Sequence, residues 1–339
     1  MRTLVGTLTI ACLSLTTGVV LLRGQVPAPP PWAYGFMSIG TEPAAPACSP
    51  EMKPQDCARR QTPRPKDMLH KLPETDRTFV EYDIHYDFGP ADWYPQDHPS
   101  MPEIVARGRE SDKLRACSLC HYPNGHGRAE NASPAGLPAA YILQQLEQFR
   151  NGTRRSADPR KANTNEMIQI ARHLTDAEMK QVAEYFAAIP RRPWVTVKET
   201  DTVPKTTVGV NGLFVPAPGS ETEPLGKRII EVPENPELTE RLRNPRSGWL
   251  AYVPVGSVAR GEELVTKGGG KTISCTICHG PDLQGVGNVP GIADRQASYT
   301  VRQLYDMQAG TRESAMMKPV VANLDEDDMI AIAAYLASK

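Results

Sequence analysis

Two pentapeptides of identical form, Cys117-Ser-Leu-Cys-His121 and Cys275-Thr-Ile-Cys-His279, constrain this chain of 339 residues more than any other feature of its sequence. Each sits at the same place in a repeat. The segment Tyr141-Ile-Leu-Gln-Gln-Leu-Glu-Gln-Phe-Arg-Asn-Gly-Thr-Arg154 aligns with Tyr299-Thr-Val-Arg-Gln-Leu-Tyr-Asp-Met-Gln-Ala-Gly-Thr-Arg312 at an offset of 158, and the same offset lays Cys117 on Cys275. Residues 167–179 align with 317–329 at an offset of 150, so the first copy holds eight extra residues between Arg154 and Met167. That insert contains Arg155, Arg160 and Lys161 and reads as a local basic patch for an acidic partner. The length suits two domains, and the repeat says that they are copies of one unit.

Each copy reads as helical. Residues 104–108 and 258–264 carry an N-terminal helix, ended by Gly108 and by the glycines at 268–270. Residues 141–150 and 299–308 form a second helix, with Gly152 and Gly310 as stops. The last helix starts at Thr175-Asp176 and at 325–328, where acidic side chains suit a helix N-terminus. Its apolar positions, Met179, Val182, Ala183 and Phe186 or Met329, Ile332, Ala333 and Leu336, follow the helical period. Units this small bury little surface by themselves and commonly need a metal or cofactor. Aromatic residues are only 6% of the chain, which points to a core filled by something other than aromatic side chains.

The pentapeptides name the filler. Two thiols three residues apart can reach the two vinyl groups of a haem, and the next residue delivers an imidazole to one face of the iron. A redox dithiol would need a βαβ context, which the pattern lacks. A zinc site would need two further ligands per pair, and His126 is the one nearby candidate, without an equivalent in the second copy. Covalent attachment of two haem c groups is therefore expected, through Cys117 and Cys120 and through Cys275 and Cys278, with His121 and His279 as axial iron ligands. A low-spin electron carrier needs a second axial ligand, and a neutral thioether favours reduced iron. The repeat selects Met167 and Met317, each seven residues before the Leu that precedes the last helix. Met316 is the competitor of Met317, whereas Met179 and Met329 read as core.

On these residues the chain resembles a tandem class I cytochrome c, the architecture of the soluble dihaem cytochromes c. The resemblance covers 99–190 and 255–339 and rests on Cys-x-x-Cys-His, Tyr-x-x-x-Gln-Leu, Gly-Thr-Arg and the Met-to-Leu segment. It implies a mainly α fold of two cytochrome c domains joined by Pro-rich, irregular and short-strand segments. It also implies that a proline carbonyl, that of Pro290, accepts the hydrogen bond of His279. The first copy has Ala132 at that position and Pro134 two residues on, which leaves its acceptor open.

The remaining chain divides into an apolar N-terminus (1–23), a Pro-rich extension (24–98) and an interdomain segment (191–254). Residues 3–22 carry no charge and are flanked by Arg2 and Arg23, the mark of export. The run is long enough to span a membrane, and an uncleaved anchor is favoured over a cleaved signal peptide. The modules are then expected in the periplasm, soluble or anchored. Cys12 lies within that run, and Cys48 and Cys57 can pair as a disulfide in an oxidising compartment. The stretch Val26-Pro-Ala-Pro-Pro-Pro31 reads as a stiff spacer, and residues 195–203 and 228–232 read as strands. Trp32, Trp93, Trp194 and Trp249 all fall outside the modules and are expected to anchor these segments, with a docking face as the alternative.

With 38 basic against 39 acidic residues, nothing marks a nucleic-acid binder. Irons saturated by His and Met can only accept and donate single electrons, so a carrier rather than an enzyme is expected. Its partners would be a dehydrogenase, a quinol-oxidising complex or a terminal oxidase. Two alternatives remain open: a dihaem peroxidase or thiosulfate-dehydrogenase type of enzyme with one haem lacking Met, and a dihaem subunit of a membrane complex.

Overall fold

The computed structural model describes residues 28–36, 64–209 and 212–339. Residues 3–22, Cys12, Cys48 and Cys57 lie outside the described residues. Among those described, no helix is long and apolar enough to cross a membrane.

The first described segment, 28–36, folds as a 3₁₀ turn over Pro31–Tyr34 that buries Trp32, Ala33 and Tyr34. It is docked on the C-terminal module rather than held off as a spacer. Trp32 Nε1 donates to Glu326 (3.1 Å) and the Tyr34 hydroxyl donates to Asp306 (2.7 Å). Residues 64–98 form a small cap: antiparallel strands β1 (Leu69–Lys71) and β2 (Thr78–Val80), helical turn α1 (Glu81–Ile84), and an apolar centre of Leu72, Ile84, Ala91, Trp93 and Tyr94. Leu242 completes that centre from far along the chain, and Trp93 Nε1 donates to its carbonyl (2.7 Å).

Module 1 holds α2 (Glu103–Ala106), α3 (Cys117–His121), α4 (Ala139–Asn151), α5 (Ala162–His173) and α6 (Asp176–Ala187). Helix α6 starts where local chemistry requires it. Thr175 Oγ1 accepts from the Glu178 amide (3.2 Å) while Glu178 accepts from the Thr175 amide (2.7 Å), a reciprocal cap. Buried Met179, Val182, Ala183 and Phe186 then face α4 across the module core.

The interdomain segment supplies β3 (Val195–Glu199), β4 (Thr202–Pro204), β5 (Thr206–Val208), β6 (Phe214–Pro216), β7 (Thr222–Pro224), β8 (Ile230–Pro233) and β9 (Trp249–Val253). Strand β9 is central to a mixed sheet, parallel to β3 and antiparallel to β8; the other four strands pair as short ladders. Val232, Ala251 and Val253 join the core of module 2. On the other side Trp194 and Trp249 meet edge to face, with ring centres 6.0 Å apart, against Ala129 of module 1. The tryptophans thus anchor connecting segments; Trp93 and Trp249 have no exposed surface, which rules them out as a docking face.

Module 2 comprises α7 (Ser257–Lys267), α8 (Thr276–His279), the β10–β11 hairpin (Gly285–Val286 and Val289–Pro290), α9 (Ala297–Gln308), α10 (Lys318–Val321) and α11 (Glu326–Ala337). Helices α7 and α11 approach so closely that a Cβ on Gly261 would lie 2.0 Å from the Ala331 carbonyl oxygen. The same Val-Ala-Arg-Gly run occurs in module 1, yet Gly108 takes φ +66° and helix α2 stops after one turn. Module 2 continues past its glycine with Glu-Glu-Leu-Val-Thr-Lys, which buries Leu264 and Val265; module 1 has no apolar residue to bury until Leu114.

Glu231 on β8 ties the sheet to α9. It is buried, accepts from the Ser298 hydroxyl (2.7 Å) and from the amides of Ala297 and Ser298 (both 3.2 Å), and burial pushes its carboxyl up to about 7. Because that value lies above the ordinary one, the linked stabilisation is complete below the ordinary carboxylate range and is lost as pH rises through about 7. Replacing Glu231 by Gln should flatten the fall in melting temperature between about pH 5 and 8, a term on the order of 3 kcal/mol at most. Buried His85 and His126, held down to about 3 and about 4 by burial, act in the opposite direction, so the comparison with wild type isolates Glu231. A variant with an unchanged slope would remove this assignment.

Candidate functional site

In both modules the pentapeptide forms a single helical turn. Helix α3 contains all of Cys117–His121, and Cys275 is the N-cap of α8. Positions i, i+3 and i+4 share one helix face, so both sulfurs and the imidazole project together. Burial pushes the Cys117 thiol up to about 12 and Cys275 up to about 11. A redox dithiol or a metal thiolate requires the opposite shift. No group of three His, Cys, Asp or Glu suited to a metal ion occurs among the described residues.

The two histidines are held alike. His121 Nδ1 lies 2.8 Å from the Ala132 carbonyl and His279 Nδ1 lies 2.7 Å from that of Pro290. A carbonyl can only accept, so Nδ1 carries the proton and Nε2 keeps its lone pair. Burial holds both imidazoles below their ordinary value, hence neutral. Ala132 fills the position of Pro290 because the acceptor is a backbone atom. Gly125 and Gly127, both at positive φ, turn the loop so that its carbonyl meets the ring. A Cβ on Gly127 would lie 2.2 Å from the Ala132 oxygen.

Cys117, Cys120 and His121 open onto a cavity that Met167 lines from α5. Its walls are apolar: Ile142, Leu146, Phe149, Ile170, Val182 and Phe186. Its polar lining includes Arg154, Lys161, Tyr141 and Gln145 from module 1, Tyr299, Arg302 and Asp306 from α9 of module 2, and the carboxylates Glu130 and Glu166. An apolar slot with paired thiols, an imidazole and a thioether, and with arginines in its lining, fits haem: a flat apolar ring with two vinyl groups and two acidic side arms. In module 2, Met317 and Cys275 pack half-buried against the core, while Met316 is 76% exposed.

Where the modules meet, the repeat pairs with itself. Arg154 donates to Gln145 (3.0 Å), Tyr299 (3.1 Å) and Gln303 (3.0 Å); Arg312 donates to Gln303 (2.8 Å), Tyr141 (2.5 Å) and Gln145 (3.0 Å). The backbones obey the same pseudo-twofold relation: Arg155 N–H donates to Thr311 O (2.7 Å) and Glu313 N–H to Thr153 O (3.0 Å). Burial and the facing Arg312 push Arg154 below its ordinary value.

This interface was missed from sequence. The signal was present, since Tyr-x-x-x-Gln and Gly-Thr-Arg are identical in both copies. The expected basic patch is largely drawn inward: Arg154 and Lys161 are buried and Arg160 clasps Asp158 (2.6 Å), while Arg155 stays exposed. Among the stray histidines, His85 meets the Arg241 carbonyl (2.8 Å), His98 contacts Asp92 (3.2 Å), and His126 stacks on Trp194 at 4.9 Å. None of these, nor His70 or His173, lines the cavity.

The sequence model of the Cytochrome c family matches the chain twice, at residues 105–189 and 258–339. A cytochrome c-554(548) of Halomonas halodenitrificans is 31% identical over 88 residues, 25% of this chain and 98% of that protein. The thiosulfate dehydrogenase electron acceptor of Stutzerimonas stutzeri is 25% identical over 243 residues, 70% of this chain and 84% of its own. Cytochrome c4 of Pseudomonas aeruginosa is 24% identical over 235 residues, 66% and 84% of the two chains.

The interface predicts non-additivity. Tyr141→Phe should cost about 1.5–3 kcal/mol in urea unfolding, the range for a hydrogen bond to a charged group. Combined with Arg312→Ala it should cost little more than Arg312→Ala alone. Fully additive losses would show that the contact carries no energy.

Proposed function

We propose, from the premise that this chain belongs to the cytochrome c family and carries two of its domains, that the protein is a dihaem carrier passing electrons one at a time between redox proteins. Two covalently bound haem c groups go with the two domains. The observation that carries the reading is that Cys117, Cys120, His121 and Met167 line one cavity in module 1; in module 2 Cys275 and Met317 both pack against the core. Haem iron supplies the one-electron couple when bound.

The protein's own groups do the rest. The cysteines fix the ring edge covalently. The carbonyls of Ala132 and Pro290 accept from Nδ1 of His121 and His279, which leaves Nε2 free to bind iron, while burial keeps both rings neutral. Met167 and Met317 would supply the second iron ligand of each haem, which would leave no position for a substrate. The apolar walls of the slot would favour the less charged, reduced state. The module 1 cavity reaches α9 of module 2 at Tyr299, Arg302 and Gln303, which supports passage of electrons between modules.

A dehydrogenase is the donor class best supported, because one relative carries the name of an electron acceptor of thiosulfate dehydrogenase. A quinol-oxidising complex or a terminal oxidase would serve equally as the other partner. The uncharged run 3–22 supports a periplasmic location, anchored or released.

Oxidised protein should show the weak sulfur-to-iron band at the red edge of the visible spectrum at twice the intensity expected per haem-bearing module. Met167→Ala and Met317→Ala should each remove half of it, and Met316→Ala none. A band worth one haem in the wild type would overturn double Met ligation. Cys117→Ala combined with Cys120→Ala, or Cys275→Ala with Cys278→Ala, should halve the haem that stays with the protein in acidic acetone, where the wild type releases none.

A further inference from the structure

The two attachment helices, identical in plan, differ sharply in what covers them. In module 1 Ser118 is 1% and Leu119 6% exposed; in module 2 the residue matching Leu119, Ile277, is 72% exposed, and Cys278 beside it is exposed. The difference comes from segments outside the repeat. The Ala116 amide donates to the Asp87 carbonyl of the cap (2.9 Å). Tyr122 donates to Thr239 O (3.4 Å), Asn124 to Pro245 O (2.9 Å), and the Arg243 guanidinium lies over the Tyr122 ring at 5.2 Å. Leu242, in the same interdomain stretch, closes the centre of the cap around Trp93. Residues 122–130 are consequently buried throughout, whereas most of the matching 280–288 loop is not.

Module 2 shows the reverse. Among the described residues, large apolar side chains stand exposed at seven positions, and four of these, Ile273, Ile277, Val286 and Met316, flank its attachment helix and Met317. The segments that carry them touch: Thr272, next to Ile273, donates to Val320 O (2.6 Å), and a Cβ on Gly280, next to the attachment helix, would touch Val286 at 3.2 Å. Segments 272–289 and 314–317 carry a single acidic or basic side chain other than His279, Asp282, whereas the cap is densely charged. A thioether holds the ring edge within two bonds of its cysteine sulfur. The second cysteine of each pair follows the same order, Cys120 half-buried and Cys278 exposed, whereas Cys117 and Cys275 are alike half-buried.

We propose that segments 64–98 and 234–247 close the haem edge of module 1 to protein partners, so that electrons cross the surface only at the uncharged apolar face of module 2. Module 1 then exchanges electrons through module 2 across the Arg154–Arg312 interface. The occupant of that face is a redox protein whose own cofactor edge has an uncharged, apolar rim, since a charged rim would lose hydration there without gaining a partner charge. Association is correspondingly insensitive to salt. This inference rests on the dihaem reading, and a haem count other than two per chain would fail that reading without touching the cap.

Two measurements on the holoprotein test it. In the reduced, diamagnetic state an uncharged gadolinium chelate should relax the thioether-bridge protons near Ile277 several-fold more than those near Leu119. Equal relaxation would overturn the closure. Second, the surface variants Ile277→Glu and Val286→Glu are mixed, fully reduced, with a blue-copper protein of low net charge as oxidant. The whole haem absorbance change should slow about tenfold, the effect of roughly 1.4 kcal/mol at the docking step. Retention of the wild-type rate by half of the change would reveal a second port in module 1. Retention by all of it would remove the port from module 2.

Discussion

Two guanidinium groups buried side by side, Arg154 and Arg312, fix the geometry on which the rest of this molecule depends. Like charges out of water repel, and burial adds the loss of hydration. The cost is offset because each amide oxygen of Gln145 and Gln303 accepts from both arginines, with Tyr141 and Tyr299 taking one further N–H each. The result is self-complementary, as a twofold dimer contact is, but made by two copies within one chain. It brings α9 of module 2 into the lining of the module 1 cavity. Acidic side arms of a bound haem there would add to the counter-charge that Asp306 supplies to Arg302 and Arg312.

Much of the site was legible because its chemistry is local. Pairs of cysteines followed by histidine, a glycine after the first and second helices of each copy and acidic residues at the start of each last helix are all set within a few residues. The Nδ1 partner of His121 was half legible: position pointed to Ala132, but the search for a proline obscured that a backbone carbonyl serves from any residue. Helix α2 shows the limit of pattern matching. Its Val-Ala-Arg-Gly matches α7, yet the residues C-terminal to the glycine decide whether the helix continues.

The features that stayed hidden were those made by contacts distant in sequence. Arg154 and Lys161 read as a surface patch because sequence cannot say which face of an insert meets another module. The central strand β9 escaped notice, although Trp249, Ala251 and Val253 alternate inward, because its partners β3 and β8 lie tens of residues away. The Pro-rich start also read as a spacer; its last turn instead buries Trp32 and Tyr34 on module 2. The cap over module 1 depends on Leu242 meeting Trp93, and no local signal announces that.

The same asymmetry gives two copies of one unit different surroundings, the first enclosed by the chain's own extensions and the second bare at its attachment helix. Such a design suits a carrier, which needs a defined exit and no place for a substrate on iron. The most direct test is carbon monoxide added to the fully reduced protein, with its difference spectrum recorded. Two irons saturated by His121 with Met167 and His279 with Met317 should give no change. A spectral shift in either haem would mean an open axial position and would contradict the account.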